Sequence, residues 1–150
     1  MPSEAEWNYA AAGGSEQRIY PWSPSLLVQK AMDGGGPNAA IDCDHAYYEA
    51  CAFDRTILGK WRPLGDSKWL QANMAGNVDE WTLDVYANTY DPSCADCARI
   101  GSIVAGSTPL RVRRGGAFLS LPREVAASYR GYDFQSDAPY TTGVRCARVP

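Results

Sequence analysis

The sequence predicts an α+β domain with little regular secondary structure, on three observations. Fourteen Gly and ten Pro among 150 residues punctuate the chain too often for long helices or a run of long strands. Only one helix can be argued from both of its ends, and the few strand-like stretches are separated by turn-rich segments. The hydrophobic share of 45% is ordinary for a globular protein, and the length suits one domain around one core.

Taken in order, Ser3 followed by Glu6 makes a capping box, with Pro2 ahead of it and Gly13-Gly14 behind, so residues 4–12 are predicted helical. Between 19 and 36, Tyr20-Pro21-Trp22 and the Gly triplet at 34–36 predict extended or irregular backbone. Residues 44–51 read as a short helical turn and 59–68 as loop. Residues 69–81 carry a Gly-Asn turn between apolar residues, after which 82–86 alternates like a strand. A turn-rich loop spans 87–109. Val112, Phe118 and the Gly115-Gly116 pair predict a strand over 110–119 broken by a bulge, and 143–149 predicts a closing strand.

A net charge of -3 and a pI near 5.1 leave no electrostatic footprint for nucleic acid, because the only basic cluster, Arg111, Arg113 and Arg114, is short. No apolar stretch approaches the roughly 20 residues of a membrane span, and Met1-Pro2-Ser3-Glu4 does not read as a signal peptide. Cysteines stand at 43, 51, 94, 97 and 146. Cys43 with Cys51 and Cys94 with Cys97 are candidate local disulfides, although four cysteines admit three pairings and spacing does not choose among them. Free thiols rank second and zinc third, since Cys94-Ala95-Asp96-Cys97 has no second such motif to complete a finger or ribbon. The cysteine pattern favours an extracytoplasmic or secreted protein of bacterial type.

Five ordered stretches carry a resemblance. They are Pro2-Ser3-Glu4-Ala5-Glu6-Trp7-Asn8-Tyr9-Ala10, Tyr20-Pro21-Trp22, Asn73-Met74-Ala75-Gly76-Asn77-Val78-Asp79-Glu80-Trp81-Thr82, Arg111-Val112-Arg113-Arg114-Gly115-Gly116 and Gly143-Val144-Arg145-Cys146-Ala147-Arg148. In this order they resemble the formylglycine-generating enzyme (sulfatase-modifying factor) family. The resemblance implies a C-type-lectin-like fold. It also implies that the chain is the C-terminal part of a family domain whose N-terminal half is missing. Absent first strands would expose sheet edges and core, so that half, on another chain, is one expected partner.

In the family's oxidases two cysteines beyond the Arg-x-x-Gly-Gly strand bind copper as thiolates. Here Ser120 falls where the first would lie, and no cysteine occurs between Cys97 and Cys146. A hydroxyl does not replace a thiolate as a ligand for a soft metal, so copper is not expected. The resemblance also implies calcium, held by Asn73, Gly76, Val78 and Glu80 through two side-chain oxygens and two backbone carbonyls, donors that suit a hard cation. The alternative is that Asn73 and Glu80 only cap the turn. A second family calcium site, whose Asn would fall near Tyr47, is expected to be lost. Asp79 replaces a signature Trp and leaves a gap where an indole would pack. Trp7, Trp22 and Trp81 match family positions and read as core, while Cys146 reads as a buried free thiol. His45, with Asp42, Asp44 and Glu49 near it in sequence, reads as an ordinary surface residue. Arg130 is either a buried hydrogen-bonded strut or, with Ser120, part of a ligand face over 117–142 for a protein or small molecule. Related domains without the cysteines occur in ergothioneine biosynthesis enzymes and pyoverdine maturation proteins. The expected function is a calcium-stabilised binding or structural module; the alternative is a family oxidoreductase converting a sulfatase cysteine to formylglycine.

Overall fold

The capping box forms as written. The Ser3 hydroxyl accepts from the Glu6 N–H at 3.2 Å, and the Ser3 N–H donates to the Glu6 carboxylate at 2.7 Å. These bonds come from a computed structural model that describes residues 1–25, 41–51, 56–57, 63–90, 98–101 and 108–147. The helix they start, α1 (Glu4–Ala12), ends at Gly13, whose φ of +69° lets its N–H turn back onto the Tyr9 carbonyl. One face of α1 buries Trp7, Ala11 and Ala12 against Met74 and Ala127. Cys94, Cys97 and the end of the expected closing strand, Arg148 and Val149, lie outside the described residues.

Four strands form one mixed sheet in the order β3-β2-β1-β4: β1 (Asp79–Val85), β2 (Leu110–Arg114), β3 (Gly131–Phe134) and β4 (Thr142–Val144). β2 runs antiparallel to both β1 and β3, while β4 lies parallel to β1. The irregularity expected in the glycine-bearing strand falls instead in β1, where Trp81 faces Arg113 but Val85 faces Arg111. The cause is local. Leu83 gives its N–H to the Pro2 carbonyl at 3.0 Å rather than to the ladder, so β1 bulges toward the chain's first residues. The two bonded surfaces hold the start of α1 against the sheet.

A second core lies outside the sheet, under the loops. Tyr20, Ala46, Tyr47, Tyr48, Cys51, Ala75, Phe118 and Val125 pack together there. Cys43 and Cys51 form a disulfide across this cluster. Closing so short a loop stabilises the fold by about 2.5 kcal/mol in chain-entropy terms, and the bond fits an extracytoplasmic location. The short helical turn expected over 44–51 is a 3-10 turn, Glu49–Cys51. Among the described residues no helix is long and apolar enough to cross a membrane.

Three packing expectations need correction. Cys146 is exposed, not buried, because the chain leaves the sheet after Val144 and it is Arg145 that turns inward, to Glu80. Trp22 is half-buried, stacked between Tyr20 and His45 at 5.2 Å from each. Trp81 is also half-buried, on the outer face of the sheet with the Arg113 guanidinium 5.9 Å from its ring.

Gly76 tests this architecture. It has φ +78°, and an added Cβ would overlap the Tyr47 carbonyl, whose oxygen also receives the Asn77 N–H. Gly76→Ala is expected to cost about 3 kcal/mol or more in urea unfolding. Gly131→Ala has ordinary contacts and no left-handed φ, and is expected to stay within about 0.5 kcal/mol of wild type. Equal effects would contradict the packing described.

Candidate functional site

Residues 73–80 carry the oxygen donors singled out in the sequence. Three residues there sit in the left-handed region, Asn73 (φ +55°), Gly76 and Asn77 (φ +69°), a conformation asparagine tolerates better than most residues. The bend is pinned from both sides. Gly76 N–H donates to the Gly115 carbonyl at 2.8 Å and Asn77 N–H to the Tyr47 carbonyl at 2.7 Å. Phe118 N–H donates to the Asn77 carbonyl at 3.0 Å, and Ile57 N–H to the Asn77 side-chain oxygen at 2.8 Å.

At the end of this turn the buried Glu80 carboxylate draws in two distant parts of the chain. Its Oε2 accepts from the Trp7 indole N–H and from Arg145 Nε, both at 2.8 Å, and its Oε1 accepts from Arg145 Nη2 at 2.6 Å. The same guanidinium donates to the carbonyls of Ala72 and Asn73. A carboxylate oxygen has two lone-pair directions, so Oε1 keeps acceptor capacity beside the turn. The donor types therefore fit a hard cation. The charge balance fits a weakly held one, because Arg145 already neutralises Glu80. Tyr47, near which the second site would have needed its Asn, is buried and stacked 6.3 Å from Phe118.

Ser120 closes a turn. Its hydroxyl accepts from the Ala117 N–H at 2.9 Å, its N–H donates back to the Ala117 carbonyl at 2.9 Å, and its carbonyl accepts from Glu49 N–H at 3.2 Å. Around it residues 117–142 expose Leu119, Tyr132, Phe134 and Tyr140, while Phe118 and Val125 are buried. Arg130 forms the strut expected of it. Arg130 holds the buried Glu4 carboxylate from two nitrogens, at 2.5 and 2.7 Å, donates to the Ala87 carbonyl, and lies between the rings of Tyr86 and Tyr90. The fully buried Arg114 sits 3.7 Å from the same carboxylate. A cavity of about 500 Å³ opens beside this strut. Its wall groups are bonded to one another: Glu4 N–H and Arg99 N–H both donate to the Asp84 carboxylate, and the Tyr90 hydroxyl donates to Glu4.

His45 is half-buried rather than an ordinary surface residue. Trp22 covers its ring and its Nδ1 lies 2.7 Å from Asp42, whose carboxyl this contact holds below the usual range.

With this geometry in view, the whole of residues 1–150 matches the family described as Sulfatase-modifying factor enzyme 1-like domain. The chain belongs to that family. It is 30% identical over 154 residues to the formylglycine-generating enzyme of Streptomyces coelicolor, covering 98% of this chain and 46% of that protein. In fold it is similar to the structure of PvdO from Pseudomonas aeruginosa, with a TM-score of 0.72 at 21% identity, over 96% of this chain and 50% of that one. It is also similar to Treponema denticola variable protein 1, with a TM-score of 0.61 at 23% identity, over 96% and 45%. The chain spans about half the length of the formylglycine-generating enzymes it matches.

Sequence reasoning missed the partners in this sulfatase-modifying-factor-like domain. Glu4, Arg114 and Arg145 carry its buried ion pairs, and the only sequence signal for them is that each falls inside a motif otherwise read as helix or strand. Asp79, expected to leave a gap, is buried and paired with Arg113 at 3.2 Å. Burial is the main influence on its carboxyl, and repulsion from Glu124 and Asp133 adds to it; together they outweigh Arg113 and the Gly116 N–H and push the pKa up to about 6. A carboxyl with a raised folded pKa binds protons that the unfolded chain releases between pH 4 and 6, so stability falls as pH rises through that window. The cost above pH 6 is on the order of 3 kcal/mol. Asp79→Asn is expected to remove this slope and to melt above wild type at pH 7.5. Thermal scans from pH 4 to 8 decide it, and an unchanged slope would place the titration elsewhere.

Proposed function

We propose that this domain acts by binding rather than by oxidation, as an extracytoplasmic, calcium-stabilised module with a C-type-lectin-like fold. The observation that carries this reading is Ser120. It stands where the family's oxidases are expected to have their first copper-binding cysteine, and its hydroxyl is committed to the Ala117 turn. Neither its hard oxygen nor its high proton affinity suits cuprous ion or attack on a sulfatase cysteine. The ligand face is the exposed set Leu119, Tyr132, Phe134 and Tyr140, a protein or small molecule with apolar surface being its class of ligand. The other half of a family domain would complete the assembly, in keeping with the half-length match to the relatives.

Asn73, Gly76, Val78 and Glu80 would hold the calcium, which would supply a fixed positive charge that stiffens the turn. Because Arg145 offsets Glu80, the affinity should fall in the range of extracellular modules, about 0.1–1 mM. Calorimetric titration is expected to show such a site. At 10 mM calcium the stability should rise by about 1.5–3 kcal/mol. Asn73→Gly keeps the left-handed backbone and removes the side-chain oxygen, so it should lose both effects. A cuprous complex abolished by a Cys-to-Ser change, together with conversion of a sulfatase-type cysteine peptide, would overturn the reading in favour of an oxidase.

A further inference from the structure

We infer that the Cys43–Cys51 disulfide gates cation binding at the 73–80 turn, so that the site responds to thiol redox conditions. The inference rests on the calcium reading above and concerns how that site is controlled.

The disulfide closes a loop whose inner residues form one wall of the turn. Tyr47, midway along it, accepts the Asn77 N–H at 2.7 Å and pairs with Gly76 as a parallel bridge. The Tyr47 ring packs on Phe118, whose own N–H holds the Asn77 carbonyl. From the same loop Glu49 N–H reaches Ser120, on the segment that grips the turn from the opposite side through Gly115 and Phe118. The carbonyl directions on which a hard cation depends are thus set by a clamp with two jaws. One jaw is β2 and the residues after it, held in the sheet. The other jaw has a single 3-10 turn and no strand, and the disulfide is the covalent bond that closes it. Gly76 leaves no slack between them, since not even a Cβ would fit against Tyr47.

Cys43 is half-buried and Cys51 buried, so a dithiol would attack from the Cys43 side. It delivers two electrons and two protons, the S–S bond breaks, both cysteines become thiols, and the reductant leaves as its own disulfide. The loop then regains the freedom the bond removed, and the turn must pay to order it before holding an ion. Linkage makes the effect reciprocal: whatever factor reduction takes from calcium affinity, bound calcium returns as resistance of the disulfide to reduction.

The test uses the whole chain carrying Cys94→Ser and Cys97→Ser, so that reduction acts on Cys43–Cys51. Calcium is titrated by calorimetry into oxidised and dithiothreitol-reduced protein, and trapped thiols are counted by mass spectrometry across a dithiothreitol redox series with and without saturating calcium. The expected result is affinity about tenfold weaker after reduction, matched by an equal shift of the dithiol–disulfide equilibrium toward disulfide in calcium. Cys43→Ser with Cys51→Ser should behave as the reduced protein; if that variant fails to fold, the redox series alone decides. Calcium binding that is present in oxidised protein with a redox equilibrium indifferent to calcium overturns the gating. No calcium binding by oxidised protein overturns the calcium reading itself, and the gating with it.

Discussion

The Glu80 carboxylate joins three parts of the chain that lie far apart in sequence. It receives the Trp7 indole from α1 and the Arg145 guanidinium from beyond β4, and it stands at the second residue of β1. A buried carboxylate is tolerated only while such partners remain, and removing one typically costs 3–5 kcal/mol. Glu4 repeats the device with Arg130 and Arg114 close by, the Arg114 guanidinium lying 5.0 Å from the Trp7 ring. A fold with one α-helix and four short strands among its described residues has few ladder bonds to spend on tertiary order. Buried charge pairs, two apolar clusters and a disulfide supply what the ladders do not.

Much of this framework was legible where local chemistry decides the outcome. The Ser3–Glu6 box and Gly13 mark α1 to the residue, because capping depends on neighbours in sequence. Strand β1 reads from Thr82 but begins at Asp79, since two adjacent acidic residues look like solvent-facing turn until Arg113 and Arg145 are known to cover them. β3 escaped notice: Gly131-Tyr132-Asp133-Phe134 is a short edge strand with both rings exposed, so it has no buried alternation to detect. The bend at Gly76-Asn77 could be read directly because it is local, whereas Arg145 and Trp7 reach Glu80 only through tertiary structure. Cys146 was expected to be buried in the closing strand, but the strand ends at Val144 and leaves it exposed.

On the binding reading proposed above, family membership and oxidase chemistry part company at Ser120. The chain keeps the motifs that build the helix start, the bent turn and the Arg114 pairing, while the Ser120 hydroxyl finishes a turn. The cavity beside Arg130 belongs to the same structural economy, for its polar walls are already joined to one another. Exposed apolar side chains over 117–142 are what the scaffold presents outward.

Parallel pairing of β4 with β1 has a consequence for biosynthesis. Thr142 must find Asp79 across nearly half the polypeptide, with β2 and β3 already inserted on the other flank. Contacts so distant along the chain are slow to form, and Arg145, which neutralises Glu80, emerges from the ribosome among the final residues of this stretch. Nascent chains would therefore carry an uncompensated acidic group and an unfinished sheet until translation of this stretch is nearly over.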